Sequence, residues 1–509
     1  MNSSFASVVT IAHGVRTAAR RTPERIALSD PARAVSFAQL EGNINRISNV
    51  VLSGLRLGKG DHAALMCGNS VAFMEVTLGL AEAGVPAAMI PPAATAREVA
   101  EICVDAEAKV LFVDTAREAV ARAADLPDVK IVVIGAALDA LMARASDTRP
   151  EVALNETDIF CIPYTSGTTG KPKGVLLSHR ARTVMMTMGM AGMFGIHNPR
   201  CRALAMSPLY NGGGFAAAMA PIFFGGSCHI LPKFEPESFL GAVAQHRVTN
   251  TFMVPTQFHA LFGLGEATLA RADVCSLKVI SCNAAPLPQA TKERIVAGFG
   301  PDVLYESYGA TETGNVTSLE PADQLRKLSC VGLPYPGVEI DVVDDTGRSV
   351  ATGEVGEVAV KSPWLFSGYW NRPAETAAVM RGGWCVVGDM GRRDADGYLY
   401  LVDRKSNMII TGGQNVYPRE VEDVLYRHPA VAEAAVIGLK DSYWGEAVTA
   451  AVVMKAGTQA SSEELKAHCK ALLAGHKVPK AFVVRGSLPK SANGKILHRA
   501  LRDELNASS

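Results

Sequence analysis

Tyr164-Thr165-Ser166-Gly167-Thr168-Thr169-Gly170-Lys171-Pro172-Lys173-Gly174 is the stretch on which the fold turns. Four Ser/Thr hydroxyls, three glycines and two lysines fall within these eleven residues. Glycine lets backbone N–H groups approach a polyanion closely. Hydroxyls donate to phosphate oxygens, and lysine adds charge. An exposed loop draws on the same residue types, so composition leaves phosphate binding and a plain surface loop both open. Spacing excludes one kind of phosphate loop. A Walker A motif requires Gly-x-x-x-x-Gly-Lys followed by Ser or Thr. Here Gly170-Lys171 is followed by Pro172, and Thr165 stands where the first glycine belongs.

On the N-terminal side of this loop, short apolar runs alternate with Ala/Glu-rich stretches of helical spacing. Ala63-Ala64-Leu65-Met66, Val110-Leu111-Phe112-Val113 and Lys130 to Ile134 read as buried strands. Such alternation predicts parallel α/β layers. On the C-terminal side, Ala203 to Ile230 carries no Asp, Glu, Lys or Arg, but Pro208, Gly212 to Gly214 and Pro221 interrupt it. It reads as a buried strand, loop and helix and not as a membrane span. From Gly337 to Lys361, Val and Ile alternate with polar residues around turns at Asp345-Thr346-Gly347 and Thr352-Gly353, which predicts a small antiparallel β unit. Beyond Asp403 the pattern predicts a helix at Glu420 to Tyr426 after Pro418, strands at Val431 to Ile437 and Val448 to Met454, and a capped helix at Ser461 to Leu473.

The whole chain has 509 residues, 48% hydrophobic and 20% charged, which is globular and too long for one ordinary domain. Fifty Lys plus Arg balance fifty Asp plus Glu, so no net charge favours nucleic acid or an acidic membrane. Ten cysteines include no Cys-x-x-Cys pair. This points to reduced thiols in a reducing, cytoplasmic compartment, with no metal cluster. The apolar stretch Phe5 to Ala12 precedes Arg16, Arg20 and Arg21, the reverse of a secretory signal.

The loop at 164–174 resembles the signature loop of the adenylate-forming superfamily, which contains acyl-CoA synthetases, aryl-CoA ligases, luciferases and the adenylation domains of peptide synthetases. Further motifs follow in the family's order, and the likeness to acyl-CoA synthetases is greatest. It implies an α/β fold: a large N-terminal domain (1–402) of layered, mostly parallel sheets with helices and a small β unit, a hinge (403–406), and a small mobile α+β lid (407–509). It implies ATP, Mg²⁺ and CoA as cofactors and a small carboxylic acid as substrate. No nucleic-acid partner or integral membrane segment is expected, and a homodimer is left open.

Residue by residue, Thr165, Ser166, Gly167, Thr168, Thr169, Gly170 and Lys173 would cradle the ATP phosphates. In Tyr308-Gly309-Ala310-Thr311-Glu312-Thr313-Gly314, the resemblance has Tyr308 stacking on adenine, Thr311 on the α-phosphate and Glu312 holding Mg²⁺. Gly309 would line the nucleotide and acyl sites. Ala284, Ala285 and Pro286 would form the other adenine wall. Asp389 would accept from the ribose hydroxyls, with Arg404 beside it. Gly412 and Gly413 would line a CoA tunnel. In Pro489-Lys490-Ser491-Ala492-Asn493-Gly494-Lys495-Ile496, Lys495 matches the catalytic lysine, with Thr311 and Glu312 as its catalytic companions.

Three positions depart from the family pattern. Asn211, in Pro208-Leu209-Tyr210-Asn211, replaces a common histidine. Asn283 stands where glycine often lines the acyl pocket; it either faces the substrate or supports a turn. Ser406 fills a hinge position that is often Asp or Lys. With Gly212, Asn211, Asn283 and Gly309 would form the acyl pocket. The expected reaction is acid plus ATP to acyl-AMP and pyrophosphate, then transfer to CoA. Alternative readings are loading of a carrier-protein phosphopantetheine, though no carrier domain follows Lys495, a luciferase-like oxygenase, or a non-catalytic nucleotide-binding protein.

Overall fold

His62–Met66 is buried at every residue, as a strand covered on both faces must be. It lies inside a seven-stranded sheet in which Lys130–Ile134, Ala108–Asp114, His62–Met66, Ala87–Met89 and Ile159–Ser166 run parallel in that spatial order. The computed structural model describes residues 8–166, 172–191, 195, 197–490 and 496–507. Ile159–Ser166 ends the parallel run and pairs antiparallel with Pro172–Gly174, Thr165 facing Lys173. The strands on either side of residues 167–171 are therefore paired with each other at the edge of a buried sheet.

A second, nine-stranded sheet has a parallel centre in the order Ile26–Ser29, Ser227–Ile230, Arg202–Ala205, Asn250–Met253, Val279–Cys282 and Leu304–Ala310. Antiparallel strands close both its edges. The helix Val71–Ala83 is buried on nearly every face, as a helix enclosed between layers must be. Its Glu82 ties down the N-terminal arm, accepting from Thr10 at 2.7 Å and pairing with Arg16 and Arg149. The uncharged region 203–230 resolves into a strand, a loop and the helix Gly212–Phe223, all in the core. Among the described residues no helix is long and apolar enough to cross a membrane.

The β unit read at 337–361 is part of a five-stranded sheet in which Glu339–Val343, Gly356–Lys361, Trp384–Arg393 and Leu399–Arg404 pair antiparallel. The chain then enters a separate sheet built around the long hairpin Val431–Asp441 and Gly445–Met454, with its own apolar core. The helix expected from Glu420 begins at Pro418, since proline suits the first helical turn, where its missing N–H has no partner to lose. Ser461 caps the helix Ser462–Leu472 in a capping box with Glu464. Asp403 stands at the passage between the two sheets, accepting from the backbone N–H groups of Arg404 at 2.6 Å and Arg419 at 2.9 Å and from Asn407 at 3.0 Å.

Candidate active site

The strand Leu304–Ala310 turns back antiparallel into Gly314–Leu319, with Ala310 facing Gly314. Thr313 makes the turn tight: its side chain folds inward, fully buried, and accepts from the Ala310 N–H at 2.9 Å. Thr311 and Glu312 are thereby presented to a cavity. Only glycine fits at 309, because a Cβ there would stand 2.0 Å from the Gly314 carbonyl oxygen.

The cavity holds about 410 Å³. Its polar part is lined by Thr165, Lys173, Thr311, Glu312, Tyr369 and Arg404. Tyr369 donates to Glu312 at 2.7 Å, and the Lys173 ammonium lies 5.2 Å from the centre of the same ring. Burial and the Glu312 charge push the Tyr369 pKa up, so its hydroxyl stays a donor. Arg404 and Asp389 face each other across two strands, Nε to Oδ1 at 2.9 Å. Asp389 also accepts from the Tyr308 hydroxyl at 2.7 Å. The Asp389 charge, against burial, raises the Arg404 pKa, with Tyr308 and Glu312 adding to it.

The other part of the cavity is lined by Asn211, Gly212, Gly213, Ala216, Phe252 and Asn283. Asn211 precedes the helix Gly212–Phe223 but makes no side-chain cap. Asn283 faces the cavity and also supports a turn, accepting from the Ala284 N–H at 2.5 Å. That turn holds Ala284 at φ +77, a left-handed conformation disfavoured for alanine.

The structure thus gathers Thr165, Lys173, Ala284, Gly309, Thr311, Glu312, Arg404, Asn211, Gly212 and Asn283 around one space. Tyr308 and Asp389 stand behind its wall, joined to it through Arg404. Ala285 and Pro286 follow Ala284 without lining the space. Gly412 and Gly413 form the two-residue tip of an antiparallel hairpin elsewhere, at φ +55 and +78, with Gly412 donating to the Trp444 carbonyl at 2.8 Å. Gly167, Thr168, Thr169, Gly170 and Lys495 lie outside the described residues, as does the side chain of Ser166. The Lys495 segment follows Lys490, which bridges Ile496. Among the lining residues that sequence reading missed are Tyr369 and Arg182. Tyr369 offered only an aromatic pair, Tyr369-Trp370, after Gly368. Arg182 lay in a basic run, Arg180-Ala181-Arg182, that reads as solvated.

A magnesium site needs a fit in the donor set. Among the described residues no cluster of three or more His, Cys, Asp or Glu could hold a metal. Mg²⁺ is characteristically held by one or two carboxylates plus substrate phosphates, and Glu312 supplies one such carboxylate at the polar end. The residues fit an ion that arrives with the nucleotide.

Residues 15–370 match the AMP-binding enzyme family, and residues 420–495 match the AMP-binding enzyme C-terminal domain. The chain belongs to the AMP-binding enzyme family. This AMP-binding enzyme is 40% identical over 351 residues to a long-chain-fatty-acid–CoA ligase of Bacillus subtilis (strain 168), a match covering 69% of the chain and 62% of that protein. It is 34% identical to a feruloyl-CoA synthase of Amycolatopsis sp, over 95% of the chain and 96% of that protein. Among solved structures it resembles O-succinylbenzoate coenzyme A synthetase from Bacillus subtilis in complex with ATP and magnesium ion, with a TM-score of 0.85, 30% identity, and 96% and 99% of the two chains covered.

Proposed function

We propose that this AMP-binding enzyme is an ATP-dependent acid–CoA ligase. It joins a carboxylic acid to AMP with loss of pyrophosphate, then passes the acyl group to CoA with loss of AMP. One observation carries the reading: a single cavity is lined both by the Thr311, Glu312 and Arg404 cluster and by the pocket of Asn211, Gly212 and Asn283. An acid in that pocket meets a nucleotide at the polar end.

A carboxylate is a poor acyl donor because oxide would have to leave. Attack on the α-phosphorus of ATP replaces oxide with AMP. The attacking group is an anion approaching a polyanion, so cationic groups and N–H donors must offset the repulsion. Lys173 supplies charge beside the phosphates, Thr311 donates to the α-phosphate, and Lys495 completes the set. Arg404, held by Asp389 behind it, reaches the ribose. Magnesium, when bound at Glu312, neutralises phosphate charge.

The large unit spans 1–402 and the lid 407–509, hinged at 403–406. Arg404 sits in this hinge and in the cavity wall, so rotation there changes the site itself. The exposed Gly412–Gly413 tip is then free to face the site for the thiol step, as Lys495 withdraws. Ten cysteines without a disulfide fit a reducing compartment, and we place the enzyme in the cytoplasm. The acid class ranges over those of its relatives, fatty or aromatic.

The test is pyrophosphate release over a panel of short, medium, long, aryl and alicyclic acids, with and without CoA. Without CoA, one pyrophosphate is expected per acyl-AMP formed; with CoA, pyrophosphate, AMP and acyl-CoA are expected in equal amounts. Protein that binds ATP yet releases pyrophosphate with none of these acids would refute the proposal.

A further inference from the structure

Arg182 is 4% exposed and lines the cavity at the Asn211–Gly212 end. Its one hydrogen bond runs from Nη1 to the Met185 sulfur at 3.3 Å, a weak acceptor. No carboxylate pairs with it among the described residues, and the residues outside them include no Asp or Glu. Arg16, whose side chain is 11% exposed, is by contrast matched by Glu82. A buried charge without a partner is costly and persists where something else compensates it.

A second positive feature adjoins it. The helix Gly212–Phe223 begins here with no side-chain cap, and its N-terminal end carries partial positive charge. The Nη2 atom lies 3.1 Å from where a Gly212 Cβ would stand. A guanidinium beside a helix N-terminus is repulsive unless an anion sits between them. Met185, Met190, Ala216 and Phe252 also line the cavity.

We infer that Arg182 and the first turn of the Gly212–Phe223 helix bind a second carboxylate of the substrate, so that the enzyme activates dicarboxylic acids. This rests on the acid-ligase reading above and names the substrate class for it. One carboxylate lies at the Thr311–Glu312 end and is adenylated; the other stays ionised on Arg182, with apolar side chains around the carbon chain between them. Arg404 and Arg182 serve different ends, since Glu312 acts on Arg404 while no carboxylate acts on Arg182. Burial, unopposed by an acid, pushes the Arg182 pKa down; the only other influence is the Cys161 thiol, which burial keeps protonated.

The experiment compares pyrophosphate release for straight-chain diacids from malonate to azelate and for aromatic diacids, each against the monoacid of equal length. Wild type, Arg182→Met and Arg182→Lys are measured side by side. Wild type should favour at least one diacid over its monoacid by about 100-fold in kcat/KM, the scale for a desolvated charge pair. Arg182→Met should remove that preference, chiefly through KM. Arg182→Lys should restore part of it, because lysine keeps the charge but loses the planar fork. Arg182→Met should melt no lower than wild type, since it removes an uncompensated buried charge.

A wild-type preference for monoacids overturns the inference without help from any variant. So does an Arg182→Met enzyme that loses diacid and monoacid turnover equally, which would put Arg182 on the reacting carboxylate. Both outcomes leave the ligase reading standing. Pyrophosphate release with no acid at all defeats that reading, and this one with it.

Discussion

Replacing Arg404 by methionine is expected to destabilise its neighbourhood more than replacing its partner Asp389 by asparagine. The two side chains form one ion pair but differ in exposure, 41% for Arg404 and 9% for Asp389. Asparagine at 389 keeps an acceptor for the Tyr308 hydroxyl and leaves a cation that water reaches. The Tyr308 bond becomes a neutral one and the Arg404 ion pair is lost, at about 1 kcal/mol each. Screening reduces the share of the exposed arginine, so the total is about 1.5 kcal/mol. Methionine at 404 instead strands a buried carboxylate whose remaining partner is Tyr308. Breaking a buried pair from that side costs about 3–5 kcal/mol, and the surviving Tyr308 bond sets the loss at the lower end, about 3 kcal/mol. The double variant strands nothing and should resemble Asp389→Asn. Hydrogen exchange of the ladder amides in Trp384–Arg393 and Leu399–Arg404 reads the local opening free energy for all three. Equal costs for the two single variants, or strict additivity in the double, would refute the reasoning.

Tyr369→Phe removes the hydroxyl that holds Glu312 and should raise the magnesium needed for half-maximal pyrophosphate release about tenfold, the worth of one charge-assisted bond; an unchanged magnesium titration would count against Glu312 as a ligand. Lys495→Ala should abolish most adenylation while sparing thiol transfer from a supplied acyl-adenylate, and separate assays of the two half-reactions check it. Burial lowers the His179 pKa from 6.5 to about 4, so the folded chain holds this ring neutral while the unfolded chain protonates it. Stability from this group is full above pH 6.5 and is lost as pH falls towards 4, by about 2 kcal/mol at pH 5. Urea midpoints across that range should show the slope, and His179→Gln should flatten it by close to one proton.

The Thr311 and Glu312 end was read through the resemblance of its motif to the adenylate-forming superfamily, and the structure gives that motif a local geometry. A tight turn with Thr313 folded inward presents Thr311 and Glu312 wherever the chain places it, and a Cβ-free Gly309 is required by the strand it faces. The parallel sheets were legible because strands covered on both faces must be apolar runs. Arg182 was not. Arg180 and Arg182 lie on a helix of six residues, His179–Val184, where positions two apart face different ways. One meets solvent and the other the core, and the sequence does not say which. Tyr369 reaches Glu312 across 57 residues, a meeting set by its long-range backbone bridge to Val175. Asn283 was open between two roles; in the structure it accepts from the Ala284 N–H and also lines the cavity.

Nine of the ten cysteines are buried, and Cys275 alone is exposed. Burial also raises the pKa of the enclosed thiols, to about 12 at Cys67, Cys103 and Cys385, which starves them of reactive thiolate. A maleimide dye should therefore mark the native protein at one place, with no cysteine removed beforehand. A second dye on Tyr443→Cys, in the C-terminal domain, would make the pair a ruler that tests the proposed lid movement during turnover.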